Sequence, residues 1–103
     1  MTEKIDISHG LMRVLLNGTA GNVKLQSEGT RSLVQAIHSA ALRTGGRWQL
    51  EMSAADLGVV HSIILTWAPT APPEQVSRYT NWMCRQSVVY ERLHAEHQAK
   101  KAS

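Results

Sequence analysis

The stretch Leu57-Gly58-Val59-Val60-His61-Ser62-Ile63-Ile64-Leu65-Thr66-Trp67 is the most apolar run in the chain. It lies in a wider gap, because no Asp, Glu, Lys or Arg occurs between Asp56 and Glu74. Just upstream, Ser53-Ala54-Ala55-Asp56 has the S-x-x-D capping form. There a hydroxyl and a carboxylate three residues apart each satisfy a backbone N–H of a first helical turn. The spacing therefore predicts a helix over 54–67. Leu57, Val60, Ile64 and Trp67 fall on one stripe of it, and Val59 and Ile63 on another. A helix apolar on two sides must be covered on two sides. In a chain this short, the second cover is expected from the C-terminal helix, a twin subunit or a target protein.

The 103 residues bound the chain to a single domain. Hydrophobic residues make up 43% and charged residues 18%, which is enough apolar volume for a core and little charge for a surface. The formal net charge is +3. It is spread thinly, with three cations against three acids in residues 1–29, three against two in 30–73, and five against three in 74–103. That distribution lacks the local concentration of a dedicated nucleic-acid binder. Cys84 is the single cysteine, so no intramolecular disulfide can form. This suits a reducing cytoplasm, with Cys84 expected as a small buried hydrophobe. Neither a signal-type apolar segment nor a run near the roughly 20 residues of a membrane span is present.

Around the central helix, the remaining elements follow from pattern. Residues 1–10 are mixed and, with 95–103, expected to be flexible. Leu11–Leu16 and Asn22–Gln26 are read as a β-hairpin around Asn17-Gly18 and Gly21-Asn22. The competing reading makes 8–16 a helix capped by Ser8 and stopped at Asn17-Gly18. Thr30 is placed to cap a helix to Thr44, with Leu33, Val34, Ile37 and Ala41 on one stripe and Gly45-Gly46 as its stop. Arg47–Met52 alternates Trp48, Leu50 and Met52 with polar residues, the period of a strand. Pro69 ends the central helix. Ala71-Pro72-Pro73-Glu74 then has proline in a first turn and an acid at the positive dipole end. From there nothing breaks a helix to about Lys100, roughly 40 Å long. The expected fold class is α+β, mainly helical: a small N-terminal β-hairpin, with 47–52 available as a third strand, packed with three helices, the last one long.

Ala54, Gly58, Ile64 and Trp67, with Leu57 and Val59 as flanking core residues, resemble the helix-turn-helix of Cro and phage-repressor-type regulators. The resemblance covers about 20 residues. It implies a turn at Gly58 and a second helix that presents Val60, His61, Ser62, Ile63, Leu65 and Thr66 to DNA. None of these is Arg, Lys, Gln or Asn, the side chains that make most base contacts. Such a surface is better suited to protein than to a charged groove.

No nucleophile elbow, P-loop, dinucleotide fingerprint, CxxC or HExxH motif occurs. His94 and His97, near Glu91 and Glu96, have a metal-pair spacing but lack a third fixed ligand. His9, His38 and His61 stand alone. No enzyme, cofactor or metal is expected. The reading is a small cytoplasmic, bacterial-type regulator that binds another protein through apolar helical surface, such as an anti-activator or inhibitor of a transcription factor, and that forms a homodimer. Its partner-binding residues are expected to be Ile63, Trp67, Tyr79, Trp82, Met83, Tyr90 and Leu93. The alternative is a helix-turn-helix DNA-binding regulator using Arg31, Arg43, Arg47 and His61, with Lys24 as a further phosphate contact.

Overall fold

The computed structural model describes residues 2–21, 28–43 and 45–102. In chain order the elements are β1 (Glu3–Ser8), α1 (His9–Gly21), α2 (Glu28–His38), β2 (Ala41–Arg43), β3 (Arg47–Met52), α3 (Ala54–Trp67) and α4 (Pro73–Ala102). A single 3-10 turn, Ala68–Thr70, joins α3 to α4. The strands form an antiparallel sheet in the order β1-β3-β2. This is the expected α+β, mainly helical class with a long last helix. Among the described residues no helix is long and apolar enough to cross a membrane.

The sheet is built by period-two patterning. Ile5 and Ile7 of β1 and Leu50 and Met52 of β3 are buried on the helical side, with Trp48 half-buried beside them. Lys4, Asp6, Gln49 and Glu51 alternate onto the other side. Residues 3–8, expected to be flexible, are thus a full strand. Their Glu-Lys-Ile-Asp-Ile-Ser alternation is short, but β3 supplies six register partners for it.

The expected hairpin at 11–16 and 22–26 is corrected for its first strand. Residues 11–16 are helical, and 22–26 lie outside the described residues. Leu11, Met12, Val14 and Leu15 are buried together, the spacing of a helix face and not of a strand. Ser8 Oγ accepts the Leu11 N–H at 3.2 Å, which caps α1 as the competing reading had it. Asn17-Gly18 does not stop the helix. The hairpin lies elsewhere, between β2 and β3. Gly45 and Gly46, expected to end a helix at 44, supply its turn with φ of 84° and 73°. Helix α2 accordingly ends at His38.

Helix α3 is the hub of the core. Its capping box is complete: Asp56 N–H donates to Ser53 Oγ at 3.2 Å, and Ser53 N–H donates to Asp56 Oδ2 at 2.9 Å. The helix packs on α1, α2 and α4. Leu57, Val60, Ile63 and Ile64 are buried, each contributing about 1.5–3 kcal/mol of transfer free energy. Helix α1 sits close against α3 at Gly18, where a Cβ would stand 2.5 Å from Ile63 Cγ2. Helix α4, at 30 residues, is about 45 Å long. That matches the 45 Å longest extent of the molecule. It lies along β1, where Trp82 Nε1–H donates to the Asp6 carbonyl at 3.2 Å and Arg92 pairs with Glu3. An edge strand with open carbonyls is a pairing hazard, and α4 covers it.

Two predictions follow from these contacts. Gly18→Ala should destabilise the protein by about 1–3 kcal/mol in a denaturant titration, because β-branched Ile63 cannot swing aside. The usual helical effect of Gly→Ala has the opposite sign, and in a double-mutant cycle the cost of Gly18→Ala should be smaller in an Ile63→Ala background, where the clashing Cγ2 is gone, than in the parent. Ser53→Ala should cost about 1 kcal/mol by removing the cap of α3.

Candidate functional site

Helices α3 and α4 pack against each other. Between them runs an open groove of about 400 Å³. From α3 come Leu57, Gly58, His61, Ile64 and Leu65. From α4 come Thr80, Met83, Cys84, Ser87 and Tyr90. Both sets follow the three-to-four spacing of one helical stripe. Leu57 and Ile64 form a buried floor, Met83 is half-buried, and Leu65 and Tyr90 stand up at the rim at 60% and 38% exposure. No Asp, Glu, Lys or Arg lines the groove.

Several hydroxyl groups in and beside the groove are engaged by their own helices. Ser87 Oγ–H donates to the Cys84 carbonyl at 2.8 Å. On the outer side of α3, Ser62 Oγ–H donates to the Gly58 carbonyl and Thr66 Oγ1–H to the Ser62 carbonyl. Beyond Tyr90 a second depression of about 290 Å³ continues along α3, lined by Ser53, Ala54, Ala55, Gly58, Tyr90, Leu93 and His94. The Tyr90 ring stacks on His94 with centroids 5.7 Å apart and forms the ridge between the two. A trough beside a 14-residue helix is about 21 Å long. That matches about four turns of a docked helix, a common mode of recognition.

Gly58 lies at the centre of this trough. The helix runs unbroken through it, where the helix-turn-helix resemblance implies a turn, and its φ is not positive. Neither a turn nor a left-handed backbone requires glycine here. An added Cβ would meet nothing within 4 Å. Glycine inside a helix costs about 1 kcal/mol relative to alanine. What it provides at this position is space in the groove.

Of the seven residues expected to bind a partner, Met83 and Tyr90 line the groove. Ile63, Tyr79, Trp82 and Leu93 are buried within the chain. Ile63 lies under Gly18, Tyr79 beside Gly10, and Trp82 on β1. Trp67 is half-buried, its ring 5.4 Å from Tyr79. The sequence stripe on α4 was thus largely core. Among the residues of the alternative reading, His61 is on the groove wall. Arg31, on α2, is exposed, as are Arg43 and Arg47, which face each other across β2 and β3. Cys84, expected to be buried, is exposed at the rim. Leu65, Gly58 and Cys84 are absent from the residues that the sequence assigns to partner binding. The absence of charge along both stripes was the signal for them.

His9 accepts the Trp48 indole N–H at Nδ1 and stacks on that ring at the sheet margin. Among the described residues, no three His, Cys, Asp or Glu side chains gather into a metal site. No known protein family, curated protein or solved structure matches the chain.

The geometry makes two measurable statements. Gly58→Ala should raise stability by about 0.5–1 kcal/mol in a denaturant titration, opposite in sign to Gly18→Ala. Cys84 should react stoichiometrically with a maleimide in the folded protein; resistance until denaturant is added would contradict its place at the rim.

Proposed function

We propose that this chain is a small, non-enzymatic regulatory protein that captures an apolar helical segment of another protein in the α3–α4 groove. The observation that supports it is the groove itself: about 400 Å³, walled by two helical stripes without charge, with open space over Gly58. A docked helix desolvates whatever it covers, and a charge left unpaired there opposes binding. This groove contains none. Leu65 and Tyr90 are placed as the apolar and aromatic anchors that dominate such interfaces. An inhibitor of a transcription factor, an anti-activator acting in the cytoplasm, needs no more machinery than this. A second copy of the chain is the competing occupant. Sequence-specific DNA binding by α3 has less support, because α3 lacks both the turn and the donors that it requires.

The test is a pull-down from a bacterial lysate, with and without nuclease, followed by identification of the retained proteins. Leu65→Asp and Tyr90→Asp should each abolish retention, as should a maleimide adduct at Cys84. Val88→Asp, on the exposed outer side of α4, should not. Ile63 is a poor choice for substitution, since its burial would unfold the core. Retention that survives both groove substitutions sinks the proposal, and retention lost on nuclease treatment moves the function to nucleic acid. Sedimentation velocity separates a homodimer that the same substitutions dissolve from a monomer that meets a foreign partner.

A further inference from the structure

The net charge that looks dilute along the chain is gathered by the fold. On the sheet side away from the helical core, Arg43 of β2 stands directly opposite Arg47 of β3. Lys4 of β1 and Arg85 of α4 join Arg47 around a concavity of about 430 Å³ between the sheet and α4. Arg78 lies seven residues before Arg85, on the same stripe of α4 and about 10 Å along it. All five cations are exposed. Asp6 and Glu51 are the acids that share this side of the sheet. Among the described residues the single ion pair is Arg92 with Glu3. Lys4 stands opposite Glu51, and Arg78 has Glu74 one turn before it on α4, whereas Arg43 and Arg47 have only each other as charged partners across the strands and Arg85 has no acid one turn away on its helix. Like charges placed directly across two strands weaken a sheet. An anion bound between Arg43 and Arg47 removes that cost.

We propose that this face binds the phosphate backbone of double-stranded nucleic acid, without reading its bases. Four of the five cations are arginines, whose planar fork matches phosphate oxygens. They run from the β2 edge across the sheet to α4, a row suited to a linear polyanion. An acidic peptide has the same charge but needs apolar pockets for its anchors. Here Ile5 and Trp82 are buried, and no large apolar side chain stands exposed between the cations. A single strand needs exposed aromatic rings for its bases to stack on, and the row has none, since Trp82 is 8% exposed with its N–H turned to Asp6. What remains is charge alone, which is what a duplex backbone takes. This site lies on the opposite side of α4 from the apolar groove and does not depend on it.

Fluorescence anisotropy of a labelled DNA duplex titrated with the full chain tests the proposal. With three to four phosphates neutralised, log affinity should fall against log salt with a slope of about −3, a loss of about 60-fold between about 50 and 200 mM. Arg47→Gln and Arg85→Gln should each flatten the slope by about 1 and weaken binding about eightfold at ~0.1 M salt. Circular dichroism checks that both variants remain folded, and Arg13→Gln, exposed on α1, should bind as the parent does. No anisotropy change at about 50 mM salt overturns the proposal. So does an equal loss in Arg13→Gln. Displacement of the duplex by poly-glutamate at equal charge concentration also overturns it and assigns the face to an acidic protein segment.

Discussion

Helix α3 carries no Asp, Glu, Lys or Arg beyond Asp56, and apart from the exposed side of Ala55, His61, Ser62, Leu65 and Thr66 it is apolar surface that must be covered. The rest of the structure is arranged around that constraint. Helices α1 and α2, with β3 beneath them, cover one side, and α4 covers part of the other. One of these contacts is a glycine notch. Gly18 lets α1 settle onto Ile63 at a distance that no other residue permits. The capping box fixes where α3 begins, and with it the register of every side chain that α1, α2 and α4 must meet. Among the described residues, Asp56 Oδ1 is the buried side-chain oxygen that has no hydrogen-bond partner.

The cover that α4 gives is incomplete, and the function proposed here follows from that. Helix α4 leaves a groove open beside α3, and the stripes facing it stay partly in water. In a helix evolved only for solubility those stripes would carry lysine and glutamate. Here they carry Leu65, Met83, Cys84 and Tyr90, with hydroxyl groups such as that of Ser87 turned back onto their own carbonyls. Glycine at 58 lowers helix stability where neither turn nor close neighbour requires it. The two glycines embedded against α3 or within it thus have opposite meanings: one admits a helix already present, and the other leaves room for one that is absent.

Short-range pattern made much of this fold legible. The S-x-x-D cap, the alternation of 47–52 and the proline-rich start of α4 are local devices, and each element lies where its residues place it. The misreadings have a common cause in long-range contact. The five apolar residues at 11–16, with Arg13 among them, serve a strand or a helix equally well, and what decides between them is the slot beside Ile63, 45 positions after Gly18. Gly45-Gly46 ends a helix or turns a hairpin with the same positive φ. On α4, a stripe of aromatic and aliphatic residues cannot declare whether it meets its own sheet or another protein. Tyr79, Trp82 and Leu93 meet their own core, while Tyr90 does not. Residues as far apart as Lys4 and Arg85 become neighbours only once β1 lies against α4.

That last contact has a kinetic consequence. Glu3 meets Arg92 across 89 positions, and the Asp6 carbonyl meets Trp82 across 76. Bonds between groups so far apart close long loops, and long loops form slowly. A chain emerging from the ribosome at about 5–20 residues per second exposes β1 first and α4 last. For several seconds the outer edge of the first strand has neither its helix nor its indole donor. In that interval the nascent chain presents an open strand edge beside an uncharged helix, both capable of pairing with a neighbouring chain. The C-terminal helix is therefore a closing latch as well as a groove wall, and the nascent chain is vulnerable until it docks.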